Sequence, residues 1–178
     1  RIWQPFSSGE VVAMYNGEIY NARKVPPGSS DRHSYRSDGE CILPAYRHAG
    51  THFPQMLDGE FAVVLVDFSR MVAILGTDVF GTKPLWYSFY DGLHASSYRS
   101  ALVQLGIPQS EIRAASPNQV LQLSLGFTES HPQSVVVTAT ASHAVHEFDL
   151  RQFKSSTNDW QNAFRRAVWK RVAASNHP

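Results

Sequence analysis

The chain has 178 residues, a formal net charge of +1, 43% hydrophobic and 17% charged residues. This composition is typical of a packed globular domain, and the near-neutral charge argues against broad attraction to nucleic acid or acidic membranes. No apolar run approaches the ~20 residues that span a bilayer. The single cysteine excludes an internal disulfide and fits a reducing, cytoplasmic compartment.

The first half of the chain predicts strands around one helix. Residues 10–15 are apolar and partly β-branched, which predicts a strand that stops at Asn16-Gly17. Residues 37–40 have the form of a capping box and predict the start of a helix. Residues 60–67 and 71–77 are two strongly apolar runs, and they predict a hairpin whose strands are buried on both faces.

The second half continues with a hairpin and two helices. In chain order the patterns predict a hairpin from residues 85–89 and 93–95, a helix over 98–105, strands over 120–125 and 135–137, and a helix over 157–174. In the last helix, apolar side chains recur every fourth residue from Trp160 to Val172. Hairpins outnumber strand–helix alternations, so the sequence predicts an α+β fold with mainly antiparallel sheet.

Asn16 and Gly17 are the first candidates for chemistry. The structural interpretation is a hairpin turn, because Asn-Gly readily adopts positive φ at both central positions. The functional interpretation is that the Asn16 side-chain amide and the Gly17 backbone N–H act together as donors. Two adjacent donors can form an oxyanion hole for acyl transfer, where each is worth about 100- to 1,000-fold in rate.

Asp38 is the second candidate. A carboxylate in the first turn of a helix is common because it interacts favourably with the helix dipole. The functional alternative is a carboxylate that holds a substrate ammonium through a charge-assisted hydrogen bond. Glu40, three residues after Ser37, is better explained as the partner in the capping box.

The remaining reactive residue types give weaker signals. Cys41 lies inside the predicted helix without an adjacent histidine, so we interpret it as a core residue and not as a nucleophile. His143 and His146 are three residues apart but have no acidic or cysteine partner at a ligand-like spacing, so no metal site is predicted. The cations of the last helix have too few aromatic neighbours to indicate nucleic-acid binding.

Four motifs together carry a resemblance to a known family. Residues 16–21 read Asn-Gly-Glu-Ile-Tyr-Asn, and residues 37–40 read Ser-Asp-Gly-Glu. Residues 57–62 read Leu-Asp-Gly-Glu-Phe-Ala, and residues 78–87 read Asp-Val-Phe-Gly-Thr-Lys-Pro-Leu-Trp-Tyr. In this order and at this spacing, they resemble the glutaminase domain of glutamine-hydrolysing asparagine synthetases, which are class II glutamine amidotransferases.

The resemblance implies a fold and an activity. The fold is the N-terminal-nucleophile hydrolase fold, a four-layer αββα sandwich with mainly antiparallel sheets. The activity is hydrolysis of glutamine to glutamate and ammonia, which a synthetase domain uses to amidate aspartate with ATP and Mg²⁺. By position, Asn16 and Gly17 are the oxyanion donors, whereas Glu18 and Asp38 contact the substrate, Asp38 through the glutamine ammonium.

The same resemblance implies what the chain binds. Glutamine is the expected substrate, and the synthetase domain of the same parent protein is the expected partner. No cofactor or metal is expected in this chain, since ATP and Mg²⁺ belong to the synthetase domain. Neither nucleic acid nor a membrane is expected as a partner, and the resemblance is compatible with a homodimer.

Departures from the family pattern imply a fragment. The family nucleophile is a cysteine at the mature N-terminus, and Arg1 aligns well past it. We therefore expect residues 1–150 to be a partial class II glutamine amidotransferase domain that lacks its N-terminal elements. Residues 151–178 are expected to be a linker and the first helix leading into an absent synthetase domain. Such a chain should be inactive alone.

Two alternatives stay open at this point. One is another class II amidotransferase with the same fold, and the other is a non-catalytic regulatory or scaffolding domain that kept the fold. Residues 18–20 and 80–84 favour the asparagine synthetase branch. Thr77 and Ser97 differ from the residues usual in that branch, and they leave room for a divergent relative.

Overall fold

The structure is a computed structural model that describes residues 4–28, 35–127, 132–144 and 156–175. The chain divides into one unit of residues 1–143 and a second of residues 144–178. The strands of the first unit are β1 (Phe6–Ser8), β2 (Val11–Ile19), β3 (Gly59–Asp67), β4 (Val72–Thr77), β5 (Trp86–Ser88), β6 (His94–Ser96), β7 (Arg113–Ala114), β8 (Gln119–Phe127) and β9 (Pro132–Ala141). Its helices are α1 (Ile42–Ala49) and α2 (Arg99–Gln104), and the second unit contains α3 (Asn158–Ser175).

The strands of the first unit form two antiparallel sheets. The larger sheet has the order β1-β2-β3-β4-β8-β9, and the smaller has the order β6-β5-β7. Every pair of neighbouring strands in both sheets is antiparallel. Both predicted hairpins, β3–β4 and β5–β6, are therefore confirmed, as is the mainly antiparallel α+β class.

Three apolar clusters order these elements into four layers. The first cluster packs Tyr46 and its neighbours on α1 against alternate residues of β2, β3 and β4. The second lies on the opposite face of the larger sheet, where Leu75 and its neighbours meet Tyr87 of the smaller sheet. The third packs Leu102 of α2 with Trp86, the strand neighbour of Tyr87. Successive strand residues point to opposite faces, so the predicted αββα order is confirmed.

Strand β2 is longer than the sequence predicts. It continues through Asn16 and Gly17 to Ile19, so the hairpin turn expected as one interpretation of Asn-Gly does not form. Gly17 has φ of +140°, and a Cβ built on it would lie 1.9 Å from the carbonyl oxygen of Glu60 on β3. A glycine is needed here because it tolerates both this backbone conformation and this close approach.

The helix signals are confirmed with a local adjustment. Residues Asp38–Cys41 form a 3-10 turn that leads into α1, and the Glu40 carboxylate accepts a hydrogen bond from the Ser37 backbone N–H at 3.1 Å, as a capping box requires. α1 ends at Gly50, which has φ of +57°. In the second unit, α3 confirms the predicted last helix, whereas residues 151–155 of the predicted linker lie outside the described residues.

Thr77, the last residue of β4, and Asp78, the first residue of the fourth motif, have structural roles. The Asp78 carboxylate is 2% exposed and accepts hydrogen bonds at 3.0 Å from the backbone N–H groups of Phe61 and Thr82. Thr77 accepts a hydrogen bond at 3.1 Å from the Gln119 backbone N–H through its hydroxyl oxygen. Buried polar groups need such partners, so these side chains fix the turn that follows β4.

Candidate functional site

The site is built along one edge of β2. The Gln4 side chain bonds the main chain of Tyr15 in both directions, as an acceptor from its N–H at 2.7 Å and as a donor to its C=O at 2.8 Å. The Asp38 Oδ2 accepts a hydrogen bond from the Ile19 N–H at 2.7 Å. Main-chain groups two residues apart in a strand point to the same edge. The Gly17 N–H therefore lies on this edge, between the two positions that Gln4 and Asp38 occupy.

The Asn16 side chain lies on the face of β2 that continues into the cluster between the sheets. Its cross-strand partner is Ala62, a member of that cluster. The Asn16 Nδ2 donates a hydrogen bond to the Ser97 Oγ at 3.2 Å. An amide nitrogen carries two hydrogens, so this bond uses one and leaves the other for a ligand next to the Gly17 N–H.

The Asp38 carboxylate is held by β2 and by its own turn. Its Oδ1 accepts a hydrogen bond from the Tyr15 hydroxyl at 2.5 Å, and its Oδ2 accepts the bond from Ile19 at 2.7 Å. The Ser37 hydroxyl adds a longer contact to Oδ1 at 3.3 Å. The carboxylate therefore reaches from its 3-10 turn across to β2, in addition to lying in the first turn before α1.

Glu18 shares the exposed face of β2 with Asn16. It lies directly opposite Glu60 of β3 in the strand register. The two side chains are therefore cross-strand neighbours on this face of the sheet.

The four predicted site residues meet around β2, but not all of them touch. Asn16, Gly17 and Glu18 are consecutive in the strand, and Asp38 is bonded to Ile19. The Asn16 amide bonds to Ser97 and the Asp38 carboxylate to Tyr15, so their hydrogen-bond partners differ. Asn16 and Ile19 are three residues apart in β2, or ~10 Å along a strand.

Two residues of this site were not identified from the sequence. Tyr15 was placed only in the predicted strand, and Ser97 only among the departures from the family pattern. Each acts on a residue far away in the chain, with separations of 23 and 81 positions. The alternation of strand residues was a usable signal for Tyr15, since it puts the phenol on the face opposite Asn16.

Cys41 is fully buried and lies in the first apolar cluster, as the sequence predicts for a core residue. Burial, with a smaller contribution from the Asp38 charge, raises the pKa of its thiol to about 12. The thiolate is the reactive form. At pH 8 we expect a thiol-alkylating reagent to modify the folded chain at least about 100-fold more slowly than the unfolded chain.

The pH dependence of the free energy of unfolding gives a second test of the burial of the Cys41 thiol. A raised pKa in the folded state favours folding while the thiol is protonated, and this contribution falls as pH rises above the unfolded value of about 8.5. The stability advantage of the wild-type chain over Cys41→Ala should therefore shrink as pH rises beyond 9. A difference that stays constant between pH 7 and 10.5, or rapid alkylation of the folded chain, would contradict a buried, inert thiol.

Among the described residues, no group of three His, Cys, Asp or Glu side chains is arranged to hold a metal ion. His143 uses its ring to contact the Leu57 carbonyl oxygen at 2.9 Å and the Ser142 hydroxyl at 3.3 Å, and His146 lies outside the described residues. None of the described helices combines the length and apolar character needed to cross a membrane.

Comparison with known proteins identifies the family. A sequence model of the glutamine amidotransferase domain matches residues 2–160. The chain belongs to the glutamine amidotransferase domain family. The edge site on β2 is therefore a site within an amidotransferase domain.

Individual relatives are similar over part of this amidotransferase domain. The chain is 41% identical over 73 residues to the glutamine-hydrolysing asparagine synthetase of Homo sapiens, a match that covers 40% of the chain and 13% of that protein. It is 35% identical over 91 residues to the amidase chry2 of Gibberella zeae, which covers 49% of the chain and 14% of that protein. The chain thus spans a small fraction of the length of these relatives.

A solved structure supports the fold. The glutamine phosphoribosylpyrophosphate amidotransferase from Bacillus subtilis superposes with a TM-score of 0.56 at 19% identity, covering 78% of this chain and 32% of that one. Identity this low bears on the fold alone. It agrees with the α+β, N-terminal-nucleophile hydrolase architecture predicted for this amidotransferase domain.

Proposed function

We propose that the chain is the glutaminase part of a glutamine-hydrolysing asparagine synthetase. The observation that carries the proposal is the order of groups along β2: the Asn16 amide and the Gly17 N–H come first, followed two residues later by the Asp38 carboxylate on Ile19. The first pair suits an oxyanion, and the carboxylate suits an ammonium.

The spacing of these groups fits glutamine. Gly17 and Ile19 are two residues apart, which corresponds to ~6.6 Å along a strand. Five bonds separate the α-nitrogen of glutamine from its side-chain carbonyl oxygen, and they span about 6 Å when extended. A single glutamine can therefore lie along the edge with its ammonium at Asp38 and its carbonyl oxygen at Gly17.

The chemistry assigned to these residues is stabilisation of charge. We propose that the cysteine sulfur of the parent protein attacks the side-chain carbonyl carbon, and that the carbonyl oxygen becomes negatively charged. Asn16 and Gly17 donate hydrogen bonds to that oxygen. The amide nitrogen takes up the proton that the thiol gave up, the carbon–nitrogen bond breaks, and ammonia leaves. Water then hydrolyses the thioester to glutamate and restores the thiol. Glu18, the strand neighbour of Gly17, is the further residue proposed to contact the substrate.

The fate of the ammonia extends the proposal to the parent protein. We propose that a synthetase domain, bound to ATP and Mg²⁺, uses the ammonia to amidate aspartate in the cytoplasm. The similarity to the human asparagine synthetase supports this acceptor. The similarity to the amidase chry2 favours a second candidate, an amide-processing enzyme with a different acceptor. Asparagine formation by the full-length protein distinguishes the two.

The proposed substrate site is tested with Asp38→Asn in the full-length protein. This change removes the carboxylate charge but keeps the shape of the side chain, so the KM for glutamine should rise at least about tenfold. Asp91→Asn makes the same change at the β5–β6 turn and should leave the KM unaltered. Failure of the full-length protein to form glutamate from glutamine would overturn the proposal.

A further inference from the structure

We infer that Tyr15 is a positioning residue that aims the Asp38 carboxylate at the α-ammonium of the substrate, and so sets the selectivity for an amino acid over an amide without an amino group. This inference rests on the proposed function. Tyr15 precedes the oxyanion residue Asn16 in β2, and the alternation of the strand directs its side chain to the opposite face. One short strand segment would then organise both ends of the substrate.

The hydrogen bonds of Asp38 support this role. Tyr15 and Ile19 are both in β2, and each bonds a different oxygen of the carboxylate, at 2.5 and 2.7 Å. Two donors on two oxygens fix the rotation of the carboxylate, which one donor cannot do. An ionised carboxylate has about four lone-pair sites. The described contacts, including Ser37, use three of them, which leaves capacity for an incoming N–H group.

The Tyr15 ring is itself held in place. It packs against Phe6 with the ring centroids 6.0 Å apart. Gly39 lies against both rings, since a Cβ there would fall 2.2 Å from the Cε1 atom of Tyr15 and 2.7 Å from the Cε2 atom of Phe6. No other residue type fits at Gly39 without displacing the ring. The glycine in the Ser-Asp-Gly-Glu motif thus lets the turn that carries Asp38 lie directly on the phenol.

The phenol is also kept in its donor form. Burial and the neighbouring Asp38 raise the pKa of Tyr15 above its ordinary value. The hydroxyl therefore stays protonated throughout the physiological range and remains a hydrogen-bond donor to Asp38. Tyr15 therefore donates a hydrogen bond to the Asp38 carboxylate and does not take a proton from the substrate ammonium.

Comparing two substrates in the full-length protein tests the inference. Tyr15→Phe removes only the hydroxyl, so we expect the KM for glutamine to rise about tenfold. The inhibition constant of 4-carbamoylbutanoate, which is glutamine without its α-amino group, should change less than twofold. Equal weakening of both ligands would indicate a merely structural role and would overturn the inference, as would an unchanged KM for glutamine.

Tyr46→Phe is the matched control. Tyr46 belongs to the same apolar cluster, and its hydroxyl donates to the Asp67 Oδ2 at 2.7 Å, at the Val11 end of β2 and eight residues along the strand from Ile19. This variant should lose stability but keep the wild-type KM for glutamine. The Asp38→Asn variant separates the two claims. If Asp38→Asn leaves the KM unchanged, the proposed substrate site is wrong. If Asp38→Asn raises the KM and Tyr15→Phe does not, only the positioning role is wrong.

Discussion

Replacing Asn16 with alanine should lower kcat for glutamine hydrolysis by about 100- to 1,000-fold in the full-length protein, the usual cost of removing one oxyanion donor. The KM for glutamine should change little, because the amide contacts an oxygen that carries full charge only during the reaction. The measurement is the initial rate of glutamate formation over a range of glutamine concentrations.

The control for this variant lies on the same strand. Met14 is two residues before Asn16, shares its face of β2 and is 49% exposed. Met14→Ala should leave kcat within about twofold of the wild-type value, because surface substitutions away from a site have small effects. A loss below about tenfold for Asn16→Ala would contradict an oxyanion role for the amide.

Gly17→Ala should be among the most destabilising single substitutions in the chain. The added methyl group would lie 1.9 Å from a backbone oxygen of β3, and φ at this position is +140°. Overpacking and backbone strain each cost about 1–3 kcal/mol. We therefore expect the free energy of unfolding to fall by about 3–5 kcal/mol, measured by urea denaturation monitored by far-UV circular dichroism.

Substitutions at two other glycines distinguish steric crowding from backbone strain as the cause of this loss of stability. Gly59 has a similar clash, with a Cβ position 2.1 Å from the Glu18 carbonyl oxygen, whereas Gly9 has φ of +61° and no atom within 4 Å. Gly59→Ala should lose stability through crowding alone, and Gly9→Ala should cost only about 1 kcal/mol through its backbone conformation. If Gly17→Ala is no more destabilising than Gly9→Ala, β2 and β3 do not approach as closely as described.

Signals that depend on neighbouring residues predicted most of the fold. The capping box at Ser37, the two hairpins and the last helix all follow from spacing within about ten residues, and all are confirmed. The Asn-Gly pair was ambiguous because its local preference for a turn competes with a distant strand. Pairing with Phe61 and Ala62 of β3 decides in favour of a strand, and that information is not contained in the motif itself.

The site could be predicted only in part, for a similar reason. The resemblance to a family identifies four site residues by their places in the motifs, namely Asn16, Gly17, Glu18 and Asp38. It does not identify the side chains that form hydrogen bonds with them. The residues that hold them, Tyr15 and Ser97, are set by the packing of layers. A hydroxyl gives no pattern by which its partner can be recognised from spacing.

Side chains already bond to main-chain groups along the β2 edge, and this limits which molecules can bind there. Adding a peptide strand to a sheet needs several consecutive free N–H and C=O groups. Here the Gln4 amide covers Tyr15 and the Asp38 carboxylate covers Ile19. The interval between them is too short to pair with an extended polypeptide, yet it matches one free amino acid. The same two side chains thus block strand addition, which agrees with the proposed selection of a free amino acid at this edge.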